Sequence, residues 1–369
     1  MKRRLKSTYI VVIPIYTIYL YTAKYSESNI MKYYFLTIAC IALFFCSCQK
    51  EDQEQRLYNS PGSNGAGASA SQRSLSQTKL VQYGALIDAP GIIGSLDFQV
   101  KVADQLNISC LRSRVKVPGR GNVPILNTVY KVLLNFNSNR LGATSPFVTN
   151  LAKYETDLRD IVSGFTMMPV VAVIENEESN AGYYNGTARE YINQLNKAIA
   201  VMHSYGIKVA NGGITSTGLN YLVYQDFLNQ GKKDSAEQFK SLAHVLPNSL
   251  QTQERGAFIS TLLQAYAQMD LDYVNFHWKG ESTDTRAFTE VINYLKKVTR
   301  KKIISNELGQ VDKNPNTLTT YIQKCKEESF PYIVWYSPNE SQNEKATPLQ
   351  HSDASLTTTG IAYQNYPKN

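Results

Sequence analysis

The feature that most constrains this chain is a series of eight short apolar segments of β type, spaced along residues 81 to 337 and separated by helical stretches. They are VQYGALID (81–88), ISCLRSRV (108–115), YKVLLNFN (130–137), MPVVAVIEN (168–176), IKVANGG (207–213), DYVNFHW (272–278), KIISNEL (302–308) and PYIVWYS (331–337). Strands buried on both faces read as near-continuous apolar runs, and most of these do. Parallel strands need long crossovers, and amphipathic helices fill them here. Thr187 to Ser204 places Ala188, Tyr191, Ile192, Leu195, Ala198, Ile199 and Met202 on one helical face behind a Thr187/Glu190 capping box. Ala287 to Arg300 repeats the pattern with Phe288, Val291, Ile292, Leu295 and Val298, and Asn314-Pro315 caps a helix carrying Leu318, Tyr321, Ile322 and Cys325. The link PGRGNVP after the second run predicts a degenerate or missing helix, and Leu219 to Met269 predicts two or more. The pattern predicts an α/β fold, a single (β/α)8 TIM barrel over residues 80–369.

The N-terminus reads differently. From Met31 the sequence MKYYFLTIACIALFFCSCQKED has a basic residue, an apolar run too short to span a membrane, then small residues and cysteine. The FFCSC segment resembles the lipobox of bacterial lipoproteins, which implies cleavage before Cys48 and lipidation there, with Cys46 as the alternative. Residues 1–47 are read as a signal region, and 1–30 as a mis-assigned start, since Met31 opens a complete signal peptide by itself. Residues 48–79, rich in Ser, Gly, Asn and Gln, are read as a lipid-anchored flexible tether. The polar QKEDQEQ after Cys48 resembles the signal that places lipoproteins on the outer face of the outer membrane. An exported outer-membrane lipoprotein, attached to the membrane by its lipid and otherwise a monomer, is the expectation.

The formal charge of +8 is concentrated in that region. Residues 1–47 hold six basic residues and one acid, leaving 32 basic and 29 acidic residues behind them. No nucleic-acid partner is expected from so even a balance. Cys110 and Cys325, far apart and among apolar residues, are read as buried thiols.

Polar residues at the C-terminal ends of barrel strands face the active-site mouth. Those ends supply Asp88, Arg112, Asn135, the cluster Glu175-Asn176-Glu177-Glu178, His277-Trp278, Asn306-Glu307 and Trp335-Tyr336. Carboxylates, amides, a His and Trp converging on one mouth suit carbohydrate, because aromatic faces stack on sugar rings. Like charges crowded into IENEE are expected to raise at least one pKa, as a general acid needs. Each Glu is expected to be expendable for folding. Trp278 and Trp335, the two tryptophans of the chain, are candidate sugar platforms, and Tyr184 a candidate subsite residue. The four scattered His show no metal-ligand spacing, and no cofactor or metal is expected. No dinucleotide or Walker glycine pattern and no GxSxG elbow precedes a helix.

The strand-four Asn-Glu and the isolated strand-seven Glu together resemble glycoside hydrolase clan A, the retaining barrel glycosidases, with family 39 and cellulase-like members nearest. IENEESNAGYYNGTAREYINQLNKAIAVMHSYGIKVANGG is similar to the clan's stretch from acid/base to strand five, FHWKG to its sixth-strand motif, and VWYSP and TTTGIAYQNY to its closing segments. The resemblance implies a glycosidase with Glu177 as acid/base and Glu307 as nucleophile. It further implies Asn176 on the sugar 2-hydroxyl, Arg112 supporting the nucleophile, and His277 and Trp335 lining the sugar site. The clan usually has Pro after the acid/base, where this chain has Glu178, so Glu175 and Glu178 stay open as alternatives. A barrel that binds glycan without cleaving it is the rival expectation.

Overall fold

The structure, a computed structural model, describes residues 81–88, 95–139, 144–340 and 346–368. Eight parallel strands close into a barrel in chain order: β1 (Gln82–Ile87), β2 (Cys110–Lys116), β3 (Lys131–Asn137), β4 (Val171–Ile174), β5 (Lys208–Asn211), β6 (Tyr273–Gly280), β7 (Lys302–Gln310) and β8 (Tyr332–Ser337). β8 pairs with β1 from Gln82↔Tyr332 to Ile87↔Ser337, which completes the ring. The helices are α1 (Leu96–Leu106), α2 (Leu151–Ser163), α3 (Ala188–Ser204), α4 (Ser216–Asn229), α5 (Lys233–Leu242), α6 (Leu250–Gln268), α7 (Thr285–Thr299), α8 (Pro315–Glu327) and α9 (Thr358–Asn365). The chain is a (β/α)8 barrel. The signal region, Cys48 and the tether lie outside the described residues, and among those described no helix is long and apolar enough to cross a membrane.

Strand alternation divides the apolar residues into two cores. Cys110, Leu133, Val171, Val173, Ala210, Tyr273, Ile304 and Val334 fill the barrel interior. Their sequence neighbours, among them Leu111, Leu134, Ala172, Val274 and Ile333, pack outward into the larger layer beneath the helices. Burial on both faces is why the runs read as continuous. Helix starts follow local chemistry: Thr187 and Glu190 form the capping box of α3, and Asn314 caps α8 with Pro315 in its first turn. Between β2 and β3 the described chain forms only a short 3-10 turn, Pro124–Asn127, where a barrel helix would stand. The long β5–β6 connection carries α4, α5 and α6. Cys110 and Cys325 are buried free thiols.

One irregularity positions the site. Against β6, Asn275 pairs with Ile304 but His277 pairs with Glu307, so β7 uses three residues where β6 uses two. The same insertion appears against β8, between Ser305↔Ile333 and Leu308↔Trp335. A bulge re-aims side chains. Here it lets the consecutive residues Asn306 and Glu307 both turn inward, while Leu308 returns to the outer core.

Candidate active site

The turn after β4 sorts its carboxylates into different environments. Glu175 and Glu177 adopt left-handed backbone, with φ of 67° and 52°, a conformation that costs a residue with a β-carbon about 1 kcal/mol or more. Glu175 is fully buried and accepts hydrogen bonds from Ser138 N (2.9 Å), Ser138 Oγ, Tyr184 OH (2.7 Å) and Gln194 Nε2. Glu178 is also fully buried, and its Oε1 accepts from Asn211 Nδ2 (2.7 Å) and Tyr266 OH (2.8 Å). Burial raises the pKa of both carboxyls, that of Glu178 to about 7. Desolvation is the cause, rather than the mutual repulsion that the crowded sequence suggested. Glu177 is the member of the cluster that reaches the cleft, with its side chain 15% exposed. Its Oε1 meets His277 Nδ1 at 3.1 Å, and its Oε2 accepts from Asn180 Nδ2 at 2.7 Å.

Glu307 faces it from β7. Arg112, from β2, donates through Nη1 to Glu307 Oε2, and Lys279, from β6, reaches Oε1 at 2.9 Å. Burial opposes ionisation of Glu307, but His277, Lys279 and Arg112 together hold its carboxyl well below the usual carboxylate range. It is an anion at any ordinary pH. Its low exposure and two cationic partners also make it part of the barrel's internal packing, contrary to the expectation that each Glu is expendable for folding. Arg112 is fully engaged, donating also through Nε to Asn135 Oδ1, Nη1 to Asn306 O, and Nη2 to Asn176 Oδ1.

A buried amide network fixes the imidazole between the two glutamates. Arg112 Nε can only donate, so the atom of Asn135 it meets is Oδ1. Asn306 Nδ2 donates to that same oxygen at 3.1 Å, which turns Asn306 Oδ1 toward Asn275 Nδ2 (2.7 Å) and His277 Nε2 (2.9 Å). An amide oxygen only accepts, so His277 keeps its proton on Nε2. Nδ1 then points at Glu177 and, at 3.7 Å, at Glu307. Gly213, at φ 115°, makes room for the ring, because a β-carbon there would lie 2.2 Å from His277 Nε2.

The structure thus brings Glu177, Glu307, Arg112, Asn176 and His277 together and places the candidate aromatic residues elsewhere. Trp335 has no exposed surface and points into the layer beneath the helices. Trp278 packs outward too, its ring 5.6 Å from Phe288 and its Nε1 donating to Tyr321 OH at 3.2 Å. Neither offers a face to a sugar. Tyr184 is buried, stacked on Phe147 at 4.6 Å and bonded to Glu175, so it braces the turn instead of extending the cleft. The physical reason is strand parity: inward His277 and Val334 leave their neighbours Trp278 and Trp335 on the outer face. The same parity identifies a residue that the strand-end inventory left out, Lys279, two positions after His277. It also singles out Tyr336, two after Val334, whose ring lies 4.3 Å from Lys279 Nζ. Tyr336 thus puts an aromatic side chain at the mouth.

Glu177, His277 and Glu307 each offer one ligand atom within 4.8 Å of the others, a grouping that could hold a metal ion. Arg112 and Lys279 already balance Glu307 and compete for its two oxygens. Carboxylates so close, one held ionised and one on a titratable imidazole, are equipped for paired nucleophilic and acid-base work.

No protein-family model matches the chain, and no curated protein matches it in sequence. Solved structures do match in fold. A GH128 (subgroup II) endo-β-1,3-glucanase from Sorangium cellulosum superposes with a TM-score of 0.52 at 12% identity, covering 78% of this chain and 98% of its own. The GH128 (subgroup II) endo-β-1,3-glucanase from Pseudomonas viridiflava gives 0.50 at 12% identity, over 79% of this chain and 99% of its own. The fold of this chain is therefore one that glycoside hydrolases use.

Proposed function

We propose that this protein is a retaining glycoside hydrolase that cleaves a poly- or oligosaccharide by double displacement. The observation that carries the reading is the closeness of Glu177 and Glu307, one carboxylate oxygen of each lying within 4.8 Å of the other across the barrel mouth. Retaining glycosidases hold their carboxyl groups about 5–5.5 Å apart, whereas inverting ones need about 6.5–9.5 Å to admit a water. Glu307, kept ionised by Arg112, Lys279 and His277, attacks the anomeric carbon. Glu177 gives its proton to the departing oxygen, and a glycosyl ester forms on Glu307. Glu177, now a carboxylate, takes a proton from water, which attacks the same carbon and frees Glu307. His277, its Nε2 bonded to Asn306, holds its Nδ1 3.1 Å from Glu177 Oε1 and so positions the acid.

The lipobox-like sequence at Cys48 supports display of the barrel as a monomeric outer-membrane lipoprotein, with the tether of residues 48–79 as spacer. One observation favours the rival reading, a barrel that binds glycan without cleaving it: Lys279 sits on the attacking carboxylate, Glu307. The test is a screen of aryl glycosides and polysaccharides, followed by mass spectrometry with a 2-fluoro glycoside of any sugar cleaved. The expected result is a covalent glycosyl adduct on Glu307 and a product of retained configuration. Inverted product with no adduct refutes the retaining mechanism, and binding without turnover across the panel supports the rival.

A further inference from the structure

The geometry points to an acidic glycan, one bearing a carboxylate or sulfate on the sugar at the scissile bond, as the substrate class, with Lys279 as the residue that reads the charge. This rests on the carbohydrate reading of the site given above and goes beyond it.

Lys279 follows His277 by two on β6 and so faces the barrel mouth. Its Nζ lies 2.9 Å from Glu307 Oε1 and 4.3 Å from the centre of the Tyr336 ring, and its side chain remains 30% exposed. Glu307 does not need a second cation for neutrality. Arg112 already pairs with Oε2 and is itself buried and held by Asn135, Asn176 and the Asn306 carbonyl. An ammonium on the other oxygen draws charge away from the nucleophile and covers the aromatic face on which a sugar would stack. A neutral sugar entering the mouth must dislodge Lys279 from both partners and offers it only hydroxyls in return. An anionic substituent offers a charge-assisted partner instead, so the same motion that seats the sugar draws Lys279 off the Tyr336 ring and releases the attacking oxygen. One oxygen of Glu307 attacks the anomeric carbon, so Lys279, seated on that carboxylate, lies within reach of substituents on the same sugar ring.

β2 supplies a second, independent observation. Its inward residues are Cys110 in the interior core, Arg112 bonded to Glu307, then Arg114 and Lys116, a basic ladder climbing from the barrel interior to its rim. Arg114 is exposed, and Lys116 is held by the Asn139 carbonyl at 2.7 Å. Asp88, at the end of the neighbouring β1, accepts from Tyr336 OH at 3.4 Å. The β2 wall beside Glu307 thus carries cationic side chains toward the rim, which favours approach of an anionic glycan over a neutral one.

The test compares matched pairs on the purified protein: oligouronides against the same oligosaccharides with carboxylates reduced to hydroxymethyl groups, and sulfated oligosaccharides against their desulfated forms. Turnover is read by new reducing ends and binding by titration calorimetry, each on wild type, Lys279→Gln and Lys279→Arg. Wild type is expected to favour the acidic member of one pair by at least about tenfold. That preference should shrink as salt rises from about 0.05 to 0.5 M, fall below about threefold in Lys279→Gln, and survive in Lys279→Arg. The pair that shows it tells carboxylate from sulfate. Turnover of neutral and acidic members alike overturns this inference and leaves the hydrolase reading standing. An acidic preference in binding alone, lost in Lys279→Gln, upholds this inference while the hydrolase reading fails. No binding and no turnover of any acidic glycan overturns it, as does a preference unchanged in Lys279→Gln. Should Lys279→Gln not fold, the salt dependence of wild type and the Lys279→Arg ratio decide by the same criteria.

Discussion

Glu178→Gln should make the protein more stable above pH 7 and flatten its response to pH. The carboxyl of Glu178 is fully buried, one oxygen accepts from Asn211 and Tyr266, and the other has no hydrogen-bond partner. Burial raises its pKa from 4.5 to about 7. The native state therefore binds a proton more tightly than the unfolded chain does. A raised carboxyl pKa favours folding at low pH, and that advantage declines as pH climbs from about 4.5 to about 7, where the folded protein too must ionise. At about 1.4 kcal/mol per pH unit, that rise makes ionised Glu178 cost about 3 kcal/mol at pH 8. Gln keeps an oxygen for Asn211 and Tyr266 and carries no charge. The variant should match wild type near pH 4 and exceed it by about 3 kcal/mol at pH 8, or roughly 5–10 °C in a chain of this size. Urea unfolding at half-unit steps of pH, from 4 to 9, reads both curves. Parallel curves, or a variant less stable at pH 8, would show that Glu178 is ionised and well solvated in the folded protein and would refute the argument.

Other outcomes follow from the same geometry. Glu307→Gln should lower turnover at least about a thousandfold and, by leaving Arg112 buried without its counter-charge, lower stability at pH 7 by about 3 kcal/mol. Because the depressed pKa of Glu307 contributes stability that is present above the ordinary carboxylate range and lost as pH falls, this stability gap should narrow in acid; unfolding curves at pH 7 and pH 3 check it. Glu177→Gln should spare aryl glycosides with good leaving groups in the first step, and added azide should restore rate with a glycosyl azide of retained configuration; no rescue argues against Glu177 as the base. Gly213→Ala should push His277 off Asn306 and cut turnover about a hundredfold with KM changed less; normal kinetics would mean the ring position does not matter. Cys48→Ser should release the protein from membranes, and a variant that stays membrane-bound contradicts the lipobox reading.

Sequence alone determined the architecture and the two ends of the site. Eight apolar runs with amphipathic crossovers leave few ways to bury both faces of eight strands, and the closed parallel barrel is the one observed. The same runs end at Glu307 and in the IENEE cluster, so both carboxylate positions were legible as strand-end chemistry. Tertiary structure decided which side chains converge. The bulge in β7 turns Asn306 and Glu307 inward together, which strict alternation forbids, and left-handed backbone at Glu175 and Glu177 sends one carboxylate to the cleft and two into buried pockets. The aromatic residues moved the other way: Trp278 and Trp335 belong to the outer core, while Tyr336 and Lys279 hold the mouth. A strand's sequence records which residues alternate, but the face each set occupies, and where an inserted residue reverses it, depends on pairing with strands far away in the chain. That pairing exists only once the barrel has closed.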